Sequence, residues 1–337
     1  SFIPMLSGFA CAVPGIMATR VIEDRKDRLA TILVTPLMSC SARLPVYSVF
    51  IGTFIPDRDA VPGFLGLQAL VLFGLYGLGI ATAVLMAWIF RRTFLRGAKA
   101  PFVLELPGYK CPALRGVLFR LYERARAFLL RAGTTILAIA IVVWSLAYFP
   151  HRAEIGAEHA VERNRIERES PPGSVRETAL AAAAEREAGA YLRDSYFGRA
   201  GHAVAPIFRP LGWDWRISMA AIASFPAREV IVATLGTIYN LGGAVDEESD
   251  ALRQSLRRAR WPESDPLTPG QPVISIPVAL SIMVFFALCC QCGATVATIK
   301  RETNSWRWAW FAFAYMSVLA YAGAFATYQI GMHVGSP

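Results

Sequence analysis

Three short polar interruptions sit inside otherwise greasy stretches: Gly-Phe-Ala-Cys-Ala-Val-Pro at 8–14, Met-Ser-Cys-Ser-Ala-Arg-Leu-Pro at 38–45, and Cys-Cys-Gln-Cys-Gly-Ala-Thr at 289–295. Each carries a cysteine. Thiolate sulfur is a soft ligand that suits Cu(I), Zn or iron, whereas Mg and Ca prefer oxygen. A single cysteine is as readily a small buried hydrophobe. Three at helix breaks point to ligands. Cys11 lies between Phe9 and Pro14, Cys40 between Pro36 and Pro45, and Cys292 follows Cys289 by three residues, a spacing that in a helix places both thiols on one face. A fourth ionisable candidate is Glu229, beside Arg228 in the apolar stretch 217–239. A carboxylate there reads as an ion site or proton relay, with an internal pair to Arg228 or a position at the membrane edge as the alternatives. Arg43 either holds an anion or anchors a helix end. His202 and His333 have no partners at metal-ligand spacing.

The elements that must position these groups follow from the hydropathy. The 337 residues are 55% hydrophobic with a mean hydropathy of +0.41. The apolar residues gather into uncharged runs at 1–19, 63–90, 132–149, 273–299 and 308–332, and into the interrupted stretches 29–56 and 217–239. About 20 apolar residues cross the hydrocarbon core. These runs recur along the whole chain, so the fold class is all-α, a polytopic transmembrane helix bundle with broken or re-entrant helices. Hydrocarbon offers no water to a backbone freed by Pro or Gly, so such breaks must be buried in protein or line a polar cavity.

The net charge of +9 is carried by loops: Arg20, Arg25, Lys26 and Arg28 form one cluster, and ten Arg and Lys residues between 91 and 131 form another. Short basic loops beside spans mark the cytoplasmic side. No nucleic-acid recognition fold accompanies the charge, so no nucleic-acid partner is expected. The basic turn Lys300-Arg301-Glu302 should share that side, which requires that 217–239 not simply cross, or that 202–215 be re-entrant. Five of the six cysteines lie in apolar runs, Cys111 being the exception, so no disulfide framework is evident. The spacing of Leu114, Val117, Leu118 and Leu121 predicts an amphipathic helix, lying at the membrane surface or packed on the bundle. The segment 151–198 predicts two solvated helices, and Trp213 and Trp215 are expected at the interface. Four regions result: a first gate-like region at 1–90, a basic loop with the following span at 91–149, a polar insertion at 150–200, and a second gate-like region at 201–337 with a polar loop at 241–271.

The two gate-like regions share an order. Gly8-Phe9 and Ser224-Phe225 open stretches that reach Ala18-Thr19 and Ala233-Thr234, and downstream Cys40-Ser-Ala-Arg-Leu-Pro-Val resembles Cys292-Gly-Ala-Thr-Val-Ala-Thr. Transporters often carry such repeats and bind substrate between them near the midplane.

These same residues carry a family resemblance. The segment from Gly8 to Arg20, Asp27-Arg28-Leu29 and Met38-Ser-Cys-Ser-Ala-Arg-Leu-Pro-Val-Tyr resemble the first gate region of the FeoB-type ferrous iron transporters. Glu105-Leu-Pro-Gly-Tyr and Glu123-Arg-Ala-Arg-Ala-Phe-Leu-Leu-Arg-Ala-Gly-Thr resemble that family's middle segment. Leu211-Gly-Trp-Asp-Trp-Arg, Arg228-Glu-Val-Ile-Val-Ala-Thr-Leu-Gly and Ala297-Thr-Ile-Lys-Arg-Glu-Thr-Asn-Ser-Trp-Arg-Trp resemble its second gate region. The polar insertions 151–191 and 241–271 have no clear counterpart. Three positions depart from the pattern: Ala12 stands for a usual Asn, Arg228 for Lys, and Gln291 for a frequent Pro. Loss of the Asn leaves the first gate's coordination open.

The resemblance implies a permease portion that passes Fe2+ across the bacterial inner membrane, with Cys11, Cys40, Cys292 and Glu229 along the path and Cys289 as a weaker member. It implies Fe2+ as transported substrate rather than bound cofactor, and a chain that is not an enzyme. The family's guanine-nucleotide-binding domain is signalled by a Gly-x-x-x-x-Gly-Lys-Ser/Thr loop, which this sequence does not contain. GTP is therefore expected to act through a domain supplied in cis upstream of Ser1 or in trans. Other expected partners are the lipid bilayer, small cytoplasmic accessory proteins and further copies of the chain. The alternatives are a nucleoside-like organic-solute transporter and a non-transporting membrane scaffold.

Overall fold

The computed structural model describes residues 2–61, 65–95, 113–169, 173–225, 230–238, 250–261, 270–290 and 292–334. In chain order the helices are α1 (Phe2–Ala10), α2 (Ala12–Ala18), α3 (Arg25–Val34), α4 (Leu44–Phe54), α5 (Leu67–Arg92), α6 (Leu114–Phe128), α7 (Thr134–Tyr148) and α8 (Ala153–Glu169). They continue with α9 (Ser174–Asp194), α10 (Tyr196–Phe208), α11 (Trp215–Ala223), α12 (Val230–Ile238), α13 (Asp250–Arg258), α14 (Ile276–Leu288), α15 (Gly293–Thr303) and α16 (Trp306–Val334). Extended pairing is confined, among the described residues, to Asp59–Val61 with Leu65–Gly66 and one bridge between Arg260 and Pro272. The all-α expectation holds.

Among the described residues, four stretches are long and apolar enough to cross a membrane: Arg25–Phe54, Leu67–Arg92, Ile276–Thr303 and Trp306–Val334. This is a multi-pass membrane protein. The first and third stretches are buried over most of their apolar length and broken in the middle, whereas α5 and α16 turn most of theirs outward. The same succession therefore occurs twice: a pair of short helices, a buried broken span, then a continuous exposed span. In the first half these are α1 and α2, α3 and α4, then α5. In the second they are α11 and α12, α14 and α15, then α16.

The pair α1–α2 is a hairpin. A β-carbon on Gly15 would lie 2.9 Å from the Pro4 carbonyl oxygen and 3.0 Å from the Gly8 amide nitrogen, an approach that a straight helix forbids over those separations. Small residues at Gly8 and Gly15 let the two backbones close on each other. The arms have nine and seven residues, about 14 and 10 Å at helical rise, each well short of the hydrocarbon thickness of about 30 Å. α11 and α12 are equally short, nine residues each, and pack on one another.

Two buried cores hold the bundle. One joins α4, α11, α12, α13 and α14 around Phe50, Trp213, Ile282 and Phe286. The other joins α2, α3, α5, α15 and α16 around Ile16, Leu33, Ile299 and Met316. Trp213 corrects the interfacial expectation. It is fully buried, stacks on Phe208, and donates its indole N–H to the Ser281 hydroxyl at 3.3 Å. The next residue, Asp214, caps α11 by accepting from the Ile217 amide at 2.9 Å. Burial pushes its carboxyl up to about 6, against the opposing pull of that hydrogen bond and of Arg216. Trp215 stacks on the His202 ring.

The amphipathic helix forms as α6, with Leu114, Val117, Leu118 and Leu121 exposed, and runs through a π-helical turn at Leu129–Gly133 into α7. Leu114 to Tyr148 is thus one helical rod rather than two separate elements. The polar insertion is a two-helix hairpin of α8 and α9, tied by Arg163 to Glu187 at 2.6 Å and Arg186 to Glu162 at 3.0 Å.

Candidate metal-path site

The hairpin geometry puts Cys11 at the tip between α1 and α2, where its extended backbone (φ −158°, ψ 138°) makes the turn. Cys292 stands in the same way before α15, with φ −155° and ψ 105°. The two half-helices α2 and α15 pack against each other. At their starts both cysteines, half-buried, pack against Val13 and Ala294 in a small cluster separate from the two large cores.

At their far ends the half-helices are joined electrostatically. Arg20 Nε donates to Glu302 Oε2 at 2.9 Å and Arg28 Nη2 donates to the same oxygen at 3.0 Å. Glu302 is 3% exposed in its side chain. Arg91, at the end of α5, lies 3.6 Å from Asp27. The first basic loop, the end of α5 and the turn at 300–302 therefore meet at one end of the bundle, as the charge distribution requires. From that end, α2 and α15 run inward by seven and eleven residues, about 10 and 16 Å.

The second break reaches the tip of the α1–α2 hairpin through the residue after Cys40. α3 ends at Val34, a 3-10 turn covers Thr35–Leu37, and a second 3-10 turn at Ser41–Arg43 leads into α4. The Ser41 hydroxyl donates to the Ala10 carbonyl oxygen at 3.2 Å, so the residue after Cys40 touches the residue before Cys11. Opposite, the Gly293 amide donates to the Phe225 carbonyl at 3.0 Å, joining the break after α14 to the break after α11. All four interruptions thus converge in pairs.

One expectation changes. Cys289 and Cys292 do not share a helical face, because α14 ends at Leu288 and Cys289 is extended (φ −73°, ψ 155°). Cys289 packs in one large core, Cys290 in the other, and Cys292 in the small cluster. Glu229, with Arg228, lies outside the described residues, as does Cys111. Among the described residues no group of three or more His, Cys, Asp or Glu side chains is placed to hold a metal at once. The thiols that converge do so in twos, from different elements.

Sequence reasoning passed over Asp214 and Glu302. Asp214 carried the signal of an acidic residue just before a helix start, and Glu302 that of a lone acid in a basic turn.

Residues 1–54 and 129–306 match the family described as "Nucleoside recognition", named Gate, and residues 72–124 match "Ferrous iron transport protein B C terminus". The chain belongs to the FeoB family. It is 39% identical over 330 residues to the Fe(2+) transporter FeoB of Leptospira interrogans, covering 98% of this chain and 43% of that protein. It is 40% identical over 337 residues to a Fe(2+) transport protein A/Fe(2+) transporter FeoB fusion protein of Porphyromonas gingivalis, covering 98% and 38%. The Helicobacter pylori Fe(2+) transporter FeoB is 33% identical over 323 residues, with 96% and 47% covered. The chain thus spans less than half the length of these relatives. No solved structure matches it.

Proposed function

We propose that this chain forms the membrane path of a ferrous iron uptake transporter of the bacterial inner membrane, in which Fe2+ passes between the thiols of Cys11, Cys292 and Cys40. The convergence of Cys11 and Cys292 on one small cluster, at the inner ends of two packed half-helices, carries this reading. Two or three soft ligands on separate short elements suit a conducted ion. A closed four-ligand cage would hold the metal as structure, whereas conduction needs binding weak enough to release. Glu229 would add a carboxylate from the segment between α11 and α12, four residues after Phe225 in the chain. GTP would act through a separate nucleotide-binding domain. The relatives named as Fe(2+) transporters support the ion, and the fusion with Fe(2+) transport protein A supports a small accessory partner.

The second reading, a nucleoside-like solute, draws on the description of the Gate family. Cysteine dependence separates the two. Cys11→Ser and Cys292→Ser, each in the complete transporter at matched expression, are expected to cut Fe2+ uptake about fivefold or more. The double variant should be little worse than either, since groups that act as a unit are non-additive. Uptake that survives both single replacements would reject the thiol path.

A further inference from the structure

Arg43 is wholly buried in the first broken span, and the ion path described above makes no use of it. A charged side chain at that depth is costly and implies a purpose. Its guanidinium is turned back into the loop that precedes it. Nη2 donates to the Pro36 carbonyl oxygen at 3.1 Å, and Nη1 donates to the Leu37 carbonyl at 3.1 Å and the Ser39 hydroxyl at 3.2 Å. The backbone closes the same ring, the Arg43 amide donating to the Cys40 carbonyl at 3.0 Å. Residues 31–39 are buried, and Cys40 is the first to emerge. It is extended (φ −80°, ψ 162°) and followed directly by the Ser41 contact to Ala10.

α5 braces the loop from the other side. A β-carbon on Gly79 would lie 3.1 Å from the Leu37 carbonyl oxygen and 3.2 Å from the Ser39 hydroxyl. Two of the three groups that the guanidinium grips are therefore also the two against which α5 packs. The loop is held between a fixed fork and a rigid helix.

We propose that Arg43 is the positioning residue for Cys40. It satisfies the carbonyls that the break would otherwise orphan in hydrocarbon, and so fixes the loop in the one conformation that presents Cys40 beside Cys11. This deepens the thiol-path reading and rests on it for its purpose, though not for its geometry. A lysine would keep the charge but not the planar fork that reaches two carbonyls and a hydroxyl together.

The test uses the complete transporter in membranes, in two backgrounds that retain only Cys11 with Cys40 or only Cys11 with Cys292, cross-linked by a short bis-maleimide. Arg43→Lys is expected to lower the Cys11–Cys40 yield about fivefold or more and to change the Cys11–Cys292 yield less than about twofold, because the fork is lost but the hairpin is not. An unchanged Cys11–Cys40 yield, or an equal fall in both, would overturn the assignment. If Arg43→Lys does not accumulate, Ser39→Ala takes its place. It removes one acceptor of the same guanidinium and should lower the Cys11–Cys40 yield alone, an unchanged yield again counting against the proposal. Cross-linking reports position rather than conduction. Normal Fe2+ uptake by Cys40→Ser would therefore reject Cys40 as a ligand while leaving the positioning result intact.

Discussion

Gly15→Ala is expected to abolish most Fe2+ uptake, more than about tenfold, although it adds a single methyl group far from any charge; positioned groups lose function steeply with small displacements. The new carbon would meet the Pro4 carbonyl oxygen at 2.9 Å, Thr35 Cγ2 at 2.9 Å and the Gly8 amide nitrogen at 3.0 Å. Two of these three are backbone atoms, so the contact is not relieved by a rotamer change. The α1–α2 hairpin must open, which shifts Cys11 at its tip. Overpacking of this kind costs about 1–3 kcal/mol, so the variant should accumulate but unfold at lower temperature. Gly74→Ala and Gly77→Ala on α5 serve as controls, since nothing lies within 4 Å of either added carbon. They should transport normally and gain up to about 1 kcal/mol from helix propensity. Uptake and thermal unfolding of the three variants check both halves of the expectation.

Glu302→Gln is the second. It leaves the size of the side chain intact and removes the charge that joins Arg20 and Arg28 to the end of α15. Breaking a fully buried ion pair costs about 3–5 kcal/mol, but the Arg20 and Arg28 side chains are 51% and 32% exposed. Water around them reduces the expected loss to about 1–2 kcal/mol. The functional loss should be larger than that figure suggests, because α2 and α15 are held parallel from this end and carry Cys11 and Cys292 at the other. A double-mutant cycle with Arg20→Gln measures the coupling directly. A coupling near zero would show that packing alone aligns the half-helices.

The breaks were legible because Pro14, Pro36, Pro45 and the glycines at 8, 15 and 293 are local signals, and local signals survive tertiary context. That the chain folds back at Cys11 was not legible. A hairpin and a kinked rod have the same residues, and only the contact of Gly15 with Pro4 and Gly8 tells them apart. The same limit explains Cys289. Spacing of three implies a shared face only while the helix continues, and α14 stops one residue earlier. Residue type alone points Trp213 to the interface, but its indole N–H finds Ser281 in the core, which removes its need for the headgroup region. Arg43 had two readings, and its hydrogen bonds to Pro36, Leu37 and Ser39 select the anchor. That the first basic loop and the turn at 300–302 belong together was legible from charge, and Glu302 joins them through Arg20 and Arg28.

The central claim is that Cys11 and Cys292 meet Fe2+ together. It is tested most directly by alkylating the complete transporter with N-ethylmaleimide under anaerobic conditions and reading the labelling rate at each cysteine. Fe2+ is expected to slow labelling of both Cys11 and Cys292 by about fivefold or more, and Mg2+, which prefers oxygen ligands, to leave it unchanged. Equal rates with and without Fe2+ at both cysteines would contradict the account.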